Sequence, residues 1–140
     1  MNIQNLIDFT NNNKICFLAT LDADQPRVRA LGFWYADETG FYFQIGANKE
    51  MYGQLTRNPK IEVCFYEYSS NIGNMLRISG EIEFVDTNEL REKLFNDRAF
   101  LKSFGLTIDS PNIIMFRIAH GKAQMWTPEN NLQAKEIIEF

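Results

Sequence analysis

Gln25-Pro26-Arg27-Val28-Arg29-Ala30-Leu31-Gly32-Phe33-Trp34-Tyr35 is the stretch on which the reading of this chain turns. Side chains alternate across a pleated strand with period two, so Arg27 and Arg29 fall in one row with Leu31, Phe33 and Tyr35. A strand face that mixes two cations with aromatics is neither a plain core face nor a plain wet one. Gly32 adds a second irregularity, because a strand loses packing at a glycine unless a bulge or a closely approaching group needs the space.

Turn signals on either side make this segment the middle of a series of strands. Ile15 to Leu21 is a continuous apolar run, and Asp22-Ala23-Asp24-Gln25-Pro26 reads as a hairpin turn from it into the arginine strand. Asp37-Glu38-Thr39-Gly40 then leads into Phe41-Tyr42-Phe43-Gln44-Ile45, which predicts a three-stranded antiparallel meander. Upstream, Ile3, Leu6 and Ile7 have the spacing of a short amphipathic helix that Asn11-Asn12-Asn13 ends.

Downstream, Asn48 is the expected N-cap of a short helix with Met51, Tyr52 and Leu55 on its apolar side, stopped at Arg57-Asn58-Pro59. Ile61 to Tyr68 alternates as a strand, and after a polar loop Met75 to Val85 alternates again, with Leu76, Ile78, Ile82 and Phe84 facing inward and Gly80 at a bend. Asp86 with Glu89 resembles a capping box. It predicts a helix carrying Leu90, Leu94, Leu101 and Phe104 inward and ending at Gly105. Ile113 to Ala119 and Lys122 to Thr127 read as one long strand or two short ones joined near His120-Gly121, and Ile137-Ile138-Glu139-Phe140 as a last edge strand. Many strands with only three helices predict a mainly β fold with helices (α+β), a small antiparallel barrel formed by residues 1–140 as a single domain.

Composition narrows the function classes. Hydrophobic residues make up 45% of the 140, and Phe alone occurs 12 times, which is ample for one core. A net charge of −4 argues against a broad nucleic-acid footprint and leaves room for a local anion site. Two separated cysteines, Cys16 and Cys64, suggest neither a disulfide framework nor a metal pair, and the single histidine, His120, excludes a cluster of histidine ligands. No run approaches the roughly 18 to 20 apolar residues of a membrane span, and the first residues are polar, so a cytoplasmic protein with no membrane partner is expected.

Arg27 and Arg29 suit a phosphate, whose oxygens match the planar fork of a guanidinium; they equally suit a solvated strand face with snorkelling arginines. Lys49 at a helix start after Gly46-Ala47-Asn48 suits an anion for a related reason, or is a surface lysine after a turn. Trp34, Trp126, Tyr42 and Phe43 are candidates to stack on a planar ring, although strand aromatics more often serve a core or an interface. Glu81 and Glu83 are carboxylates on a wet strand face and call for no catalytic role.

Taken together, Phe17-Leu18-Ala19-Thr20, Gln25 to Phe33, Tyr42-Phe43-Gln44-Ile45, the Lys-led helix ending Asn58-Pro59, and Leu76-Arg77-Ile78-Ser79-Gly80 resemble the pyridoxamine 5′-phosphate oxidase-related family of FMN-binding split barrels, in its short single-domain branch. The resemblance implies a homodimer with two FMN sites at the subunit interface. Arg29 would hold the FMN phosphate, with Lys49 as a second ligand; Ala30, Leu31 and Gly32 would lie along the ring through their backbone, and Gln44 and Ile45 would border it. Ile45 stands where the family commonly has Thr or Ser, and Met51 where it commonly has the lysine. The implied activity is an FMN-dependent oxidoreductase that acts on a small molecule, with NADH or NADPH as a candidate donor. The alternative is a non-catalytic flavin or heme carrier or sensor.

Overall fold

The structure, a computed structural model, describes all 140 residues. Ten strands and three α-helices follow one another as α1 (Ile3–Asn12), β1 (Ile15–Asp22), β2 (Gln25–Gly32), β3 (Tyr35–Asp37), β4 (Gly40–Gly46), α2 (Glu50–Arg57), β5 (Lys60–Tyr66), β6 (Met75–Glu81), β7 (Glu83–Phe84), α3 (Asn88–Asp97), a 3-10 helix (Ala99–Phe104), β8 (Ile113–Ile118), β9 (Gly121–Trp126) and β10 (Ile137–Glu139). The strands form two antiparallel sheets, one ordered β10-β9-β6-β5-β1-β2 and the other β3-β4-β8-β7. The barrel is split rather than closed, and β2 is left as a free edge.

The core lies between the sheets. Cys16, Leu18 and Thr20 of β1, Ile61, Val63 and Phe65 of β5, and Leu76 and Ile78 of β6 face Phe41, Phe43 and Ile45 of β4 and Phe116 and Ile118 of β8. Burial pushes the Cys16 thiol up to about 12, so it behaves as an inert apolar group. β4 is buried on both faces, because its other side carries Tyr42 into a second cluster with Trp34, Leu94, Phe95, Leu101, Ile113 and Met115 under α3. That double burial explains the near-continuous apolar run from Phe41 to Ile45.

Several expectations change. The stretch from Gln25 to Tyr35 is two strands: the chain leaves the large sheet after Gly32 and enters the small one at Tyr35. Phe33 bridges the crossing with edge-on contacts to Phe43 at 5.2 Å and Phe65 at 5.0 Å. The three-stranded meander is accordingly bent across both sheets, and β4 pairs with β3 rather than with β2. Met75 to Val85 divides in the same way at buried Ile82, after which Phe84 is 45% exposed instead of inward. For residues 113–127 the alternative of two short strands holds, and the two lie in different sheets.

Helix ends differ as well. Thr87, not Asp86, caps α3, its hydroxyl accepting from the Leu90 N–H at 3.1 Å, because Asp86 is engaged by the Arg91 guanidinium at 2.7 Å. The helix breaks at Arg98, and the 3-10 turn that follows rotates Phe104 outward, where it is 72% exposed; Gly105 then ends it in the left-handed region. Lys49 rather than Asn48 occupies the N-cap of α2, with no side-chain cap bond.

Candidate functional site

The crossing of β2 into β3 opens the two sheets at one end, and α2 starts beside the opening. A cavity of about 570 Å3 lies there, walled by Arg29, Ala30 and Leu31 of β2, by Gln44, Ile45 and Gly46 of β4, and by Lys49, Glu50 and Met51 at the start of α2. Six of the sequence-predicted residues, Arg29, Ala30, Leu31, Gln44, Ile45 and Lys49, therefore meet in one place although up to twenty positions separate them.

Arg29 is fixed by neutral acceptors. Its Nη1 donates to Thr20 Oγ1 at 2.9 Å and to the Leu18 carbonyl at 3.2 Å, and its Nη2 donates to Gln54 Oε1 at 2.8 Å. Thr20 Oγ1 itself donates to Gln54 Oε1 at 2.6 Å, and Gln54 is only 3% exposed. Every residue in this triad is oriented by the other two. Partial burial lowers the Arg29 pKa and Glu50 opposes that shift, yet a guanidinium stays charged at any ordinary pH. No carboxylate stands within 4.0 Å of it, unlike Arg27, whose Nε reaches Asp22 at 3.3 Å. The site thus holds a preoriented and unneutralised cation, the condition that favours an anionic ligand.

At α2 no side chain caps the helix, which leaves its first N–H groups without a side-chain partner, and Lys49, Glu50 and Met51 of this first turn line the cavity. Gly46 leaves room for the turn, since a Cβ there would stand 2.6 Å from Asn48 Oδ1. Glu50 shares the wall and offsets part of the positive charge. Leu31, Ile45 and Met51 supply apolar surface on the remaining side. One end suits a phosphate and the other a flat apolar body. The volume lies within the roughly 300–1,000 Å3 of small-molecule sites.

The remaining two predicted residues sit elsewhere. Gly32 is outside the cavity wall; its carbonyl accepts from Arg98 Nη2 at 2.5 Å, and that guanidinium covers the side where a Cβ would point. Trp126, on β9, lies on the outward face of the large sheet opposite Met75, and its Nε1 donates to Asn131 Oδ1 at 2.9 Å. His120 lines a separate cavity with Asp37, Glu38 and the chain end.

Sequence reasoning passed over Thr20 and Gln54, although each carried a signal. Thr20 continues the inward row of Cys16 and Leu18, and Gln54 falls three positions after Met51 on the buried side of α2. A polar residue on an otherwise apolar face marks a buried bond. Arg98 gave no such signal, because its partner lies 66 residues away.

The fold recurs in solved structures. A NimC/NimA family protein from Clostridium acetobutylicum is 22% identical, with a TM-score of 0.83 over 98% of this chain and 92% of that one. A FAD-binding protein from Mesorhizobium loti is 17% identical, with a TM-score of 0.69 over 89% and 94%. HutZ, the heme storage protein from Vibrio cholerae, is 16% identical, with a TM-score of 0.66 over 85% and 90%. At these identities the likeness speaks for the fold alone. No curated protein matches the sequence. The family model for pyridoxamine 5′-phosphate oxidase matches residues 4–128, nearly the whole domain, and the chain belongs to that family.

Proposed function

We propose that this protein is a flavoprotein that holds FMN in the cleft between β2, the end of β4 and α2, and that it works as an oxidoreductase on a small molecule. The observation that carries this reading is Arg29: a guanidinium locked by Thr20 and Gln54, without a carboxylate partner, at the polar end of a cavity of about 570 Å3. Arg29 and Lys49 bind the phosphate, the first by directed hydrogen bonds and the second by charge. Leu31, Ile45 and Met51 exclude water from one face of the ring, and the free edge of β2 offers backbone groups at Ala30 and Leu31 to the ring's polar rim. Bound flavin supplies the electron-transfer chemistry, with reduced nicotinamide as donor. The chain's own part is anchoring and orientation, and no side chain in the cavity is assigned as an acid or base.

A second copy of the chain completes the site in this reading. The outward face of the large sheet carries Ile15, Phe17 and Val28 exposed, together with Trp126, and pairing of two such faces brings a second chain's Trp126 toward the open side of the cavity. Heme is the competing cargo, because HutZ shares the fold. The placement of His120 in a separate cavity argues against an axial histidine in this cleft.

The absorbance spectrum of the purified protein tests the reading. Bound FMN gives flavin bands that NADH or NADPH bleaches, with FMN released on denaturation. A colourless protein that fails to retain added FMN overturns the proposal, and a Soret band after heme addition moves the assignment to heme.

A further inference from the structure

Beyond Lys49 the phosphate end of the cleft does not close. A second cavity of about 410 Å3 continues from it between the β1–β2 hairpin and the outer side of α2, and the two share Lys49 and Glu50 as a common wall. Gln54, which holds Arg29 on the first side, lines the second. None of the residues around this second space is apolar.

Its charges are unevenly matched. Arg27 Nε and Arg57 Nη2 both approach the one carboxylate of Asp22, at 3.3 Å and 3.9 Å, so a single negative charge serves two guanidinium groups. Lys49 has no carboxylate within 4.0 Å. Across both spaces Arg27, Arg29, Lys49 and Arg57 face only Asp22 and Glu50. Such a surplus at one end of a molecule whose net charge is −4 attracts an anion larger than one phosphate. Gly53 helps to shape the space, since Arg57 Nη1 lies 3.2 Å from the position of a Cβ there and runs back along the helix toward Asp22.

We infer that this polar space is a second phosphate subsite, in which Arg27 and Arg57 take the distal phosphate of a flavin dinucleotide, Arg29 keeps the proximal one, and Lys49, on the wall common to both spaces, serves the two. The inference rests on the flavin reading of the first cavity and extends it to the cofactor's tail. With no aromatic or aliphatic wall in the second space, the adenine is left to solvent and recognition is by charge alone. Binding of the dinucleotide is therefore screened by salt more strongly than binding of FMN.

Apo-protein titrated with riboflavin, FMN and FAD by fluorescence quenching tests this, for the parent chain and for the double variant Arg27→Ala, Arg57→Ala. Both arginines are exposed and paired only at the surface, so the variant folds. The parent is expected to bind FAD at least as tightly as FMN. The double variant should lose about tenfold in FAD affinity, as two exposed charge contacts imply, with FMN affinity changed less than about twofold. A parent that binds FMN but takes FAD tenfold more weakly overturns the subsite and leaves the FMN reading standing, as does a variant that weakens both ligands equally. Failure of all three flavins to bind overturns both.

Discussion

Arg29 and Arg27 lie two positions apart on one strand, yet their surroundings give them different work. Arg27 shares the one Asp22 carboxylate with Arg57 at the surface, whereas Arg29 donates to neutral oxygens and has no carboxylate within 4.0 Å. Replacing Arg29 with Ala removes charge-assisted hydrogen bonds to a phosphate, each of which contributes about 1.5–3 kcal/mol. Arg29→Ala should accordingly weaken FMN binding by about one to two orders of magnitude, while Arg27→Ala changes it by less than about twofold, in a flavin fluorescence titration. Arg29→Lys should not restore affinity, because one ammonium cannot span Thr20, the Leu18 carbonyl and Gln54 while still facing the cavity. Equal losses for Ala at positions 27 and 29 would contradict the assignment of the anchor.

At the scale of elements, the crossings between sheets decide the architecture, and Gly80 marks one of them. A Cβ at Gly80 would stand 2.7 Å from Ile118 Cγ2 and 2.8 Å from the His120 carbonyl oxygen, where β6 passes the junction of β8 and β9. An ordinary strand glycine gains about 0.5–1 kcal/mol on replacement by Ala. Crowding against a backbone oxygen costs about 1–3 kcal/mol and wins here. Gly80→Ala should therefore lower the urea midpoint with no change in slope, and a rise in the midpoint would show that the junction yields. The glycine was visible in the sequence as a bend, but the split of the strand after it was not. Alternation runs on through a crossing, since Ile82 stays buried while the hydrogen-bonding partners change from β5 and β9 to β8. The same holds for the opening stretch, where Arg29, Leu31 and Phe33 share one row and only the pairing partners reveal two strands. Strands that stay in one sheet, such as β1 and β5, were legible because their inward rows of Cys16, Leu18 and Thr20, and of Ile61, Val63 and Phe65, mirror their burial directly. Capping was misread at α3 because Asp86 and Thr87 both suit an N-cap, and only the position of Arg91 separates them.

For the molecule as a whole, the outward face of the large sheet is a surface that carries exposed apolar side chains. Ile15 and Phe17 of β1 stand beside Gly32 and Ala30 of β2, and Val28, 69% exposed, lies one row further along. Apolar side chains in this number on a flat sheet face are characteristic of a surface that another protein covers. The charges at the far side of the same face pair within the chain, Arg77 with Glu62 and Lys122 with Glu139, and so do not oppose a symmetric contact. Trp126 gives this a functional edge. None of the four stacking candidates from the sequence lines the cavity: Trp34, Tyr42 and Phe43 are buried in the core, and only Trp126 lies on that face. If two copies pair through it, the cofactor cleft and the association surface become one structure, and breaking the pair opens the cleft to water. Val28→Asp, a change at an exposed position that leaves the core untouched, should convert the dimer to a monomer in sedimentation equilibrium at micromolar concentration and weaken FMN binding in the same sample. Trp126→Ala should weaken FMN without dissociating the dimer. A parent protein that sediments as a monomer and still retains FMN would separate the cleft from the face and assign Trp126 to packing against Asn131 alone.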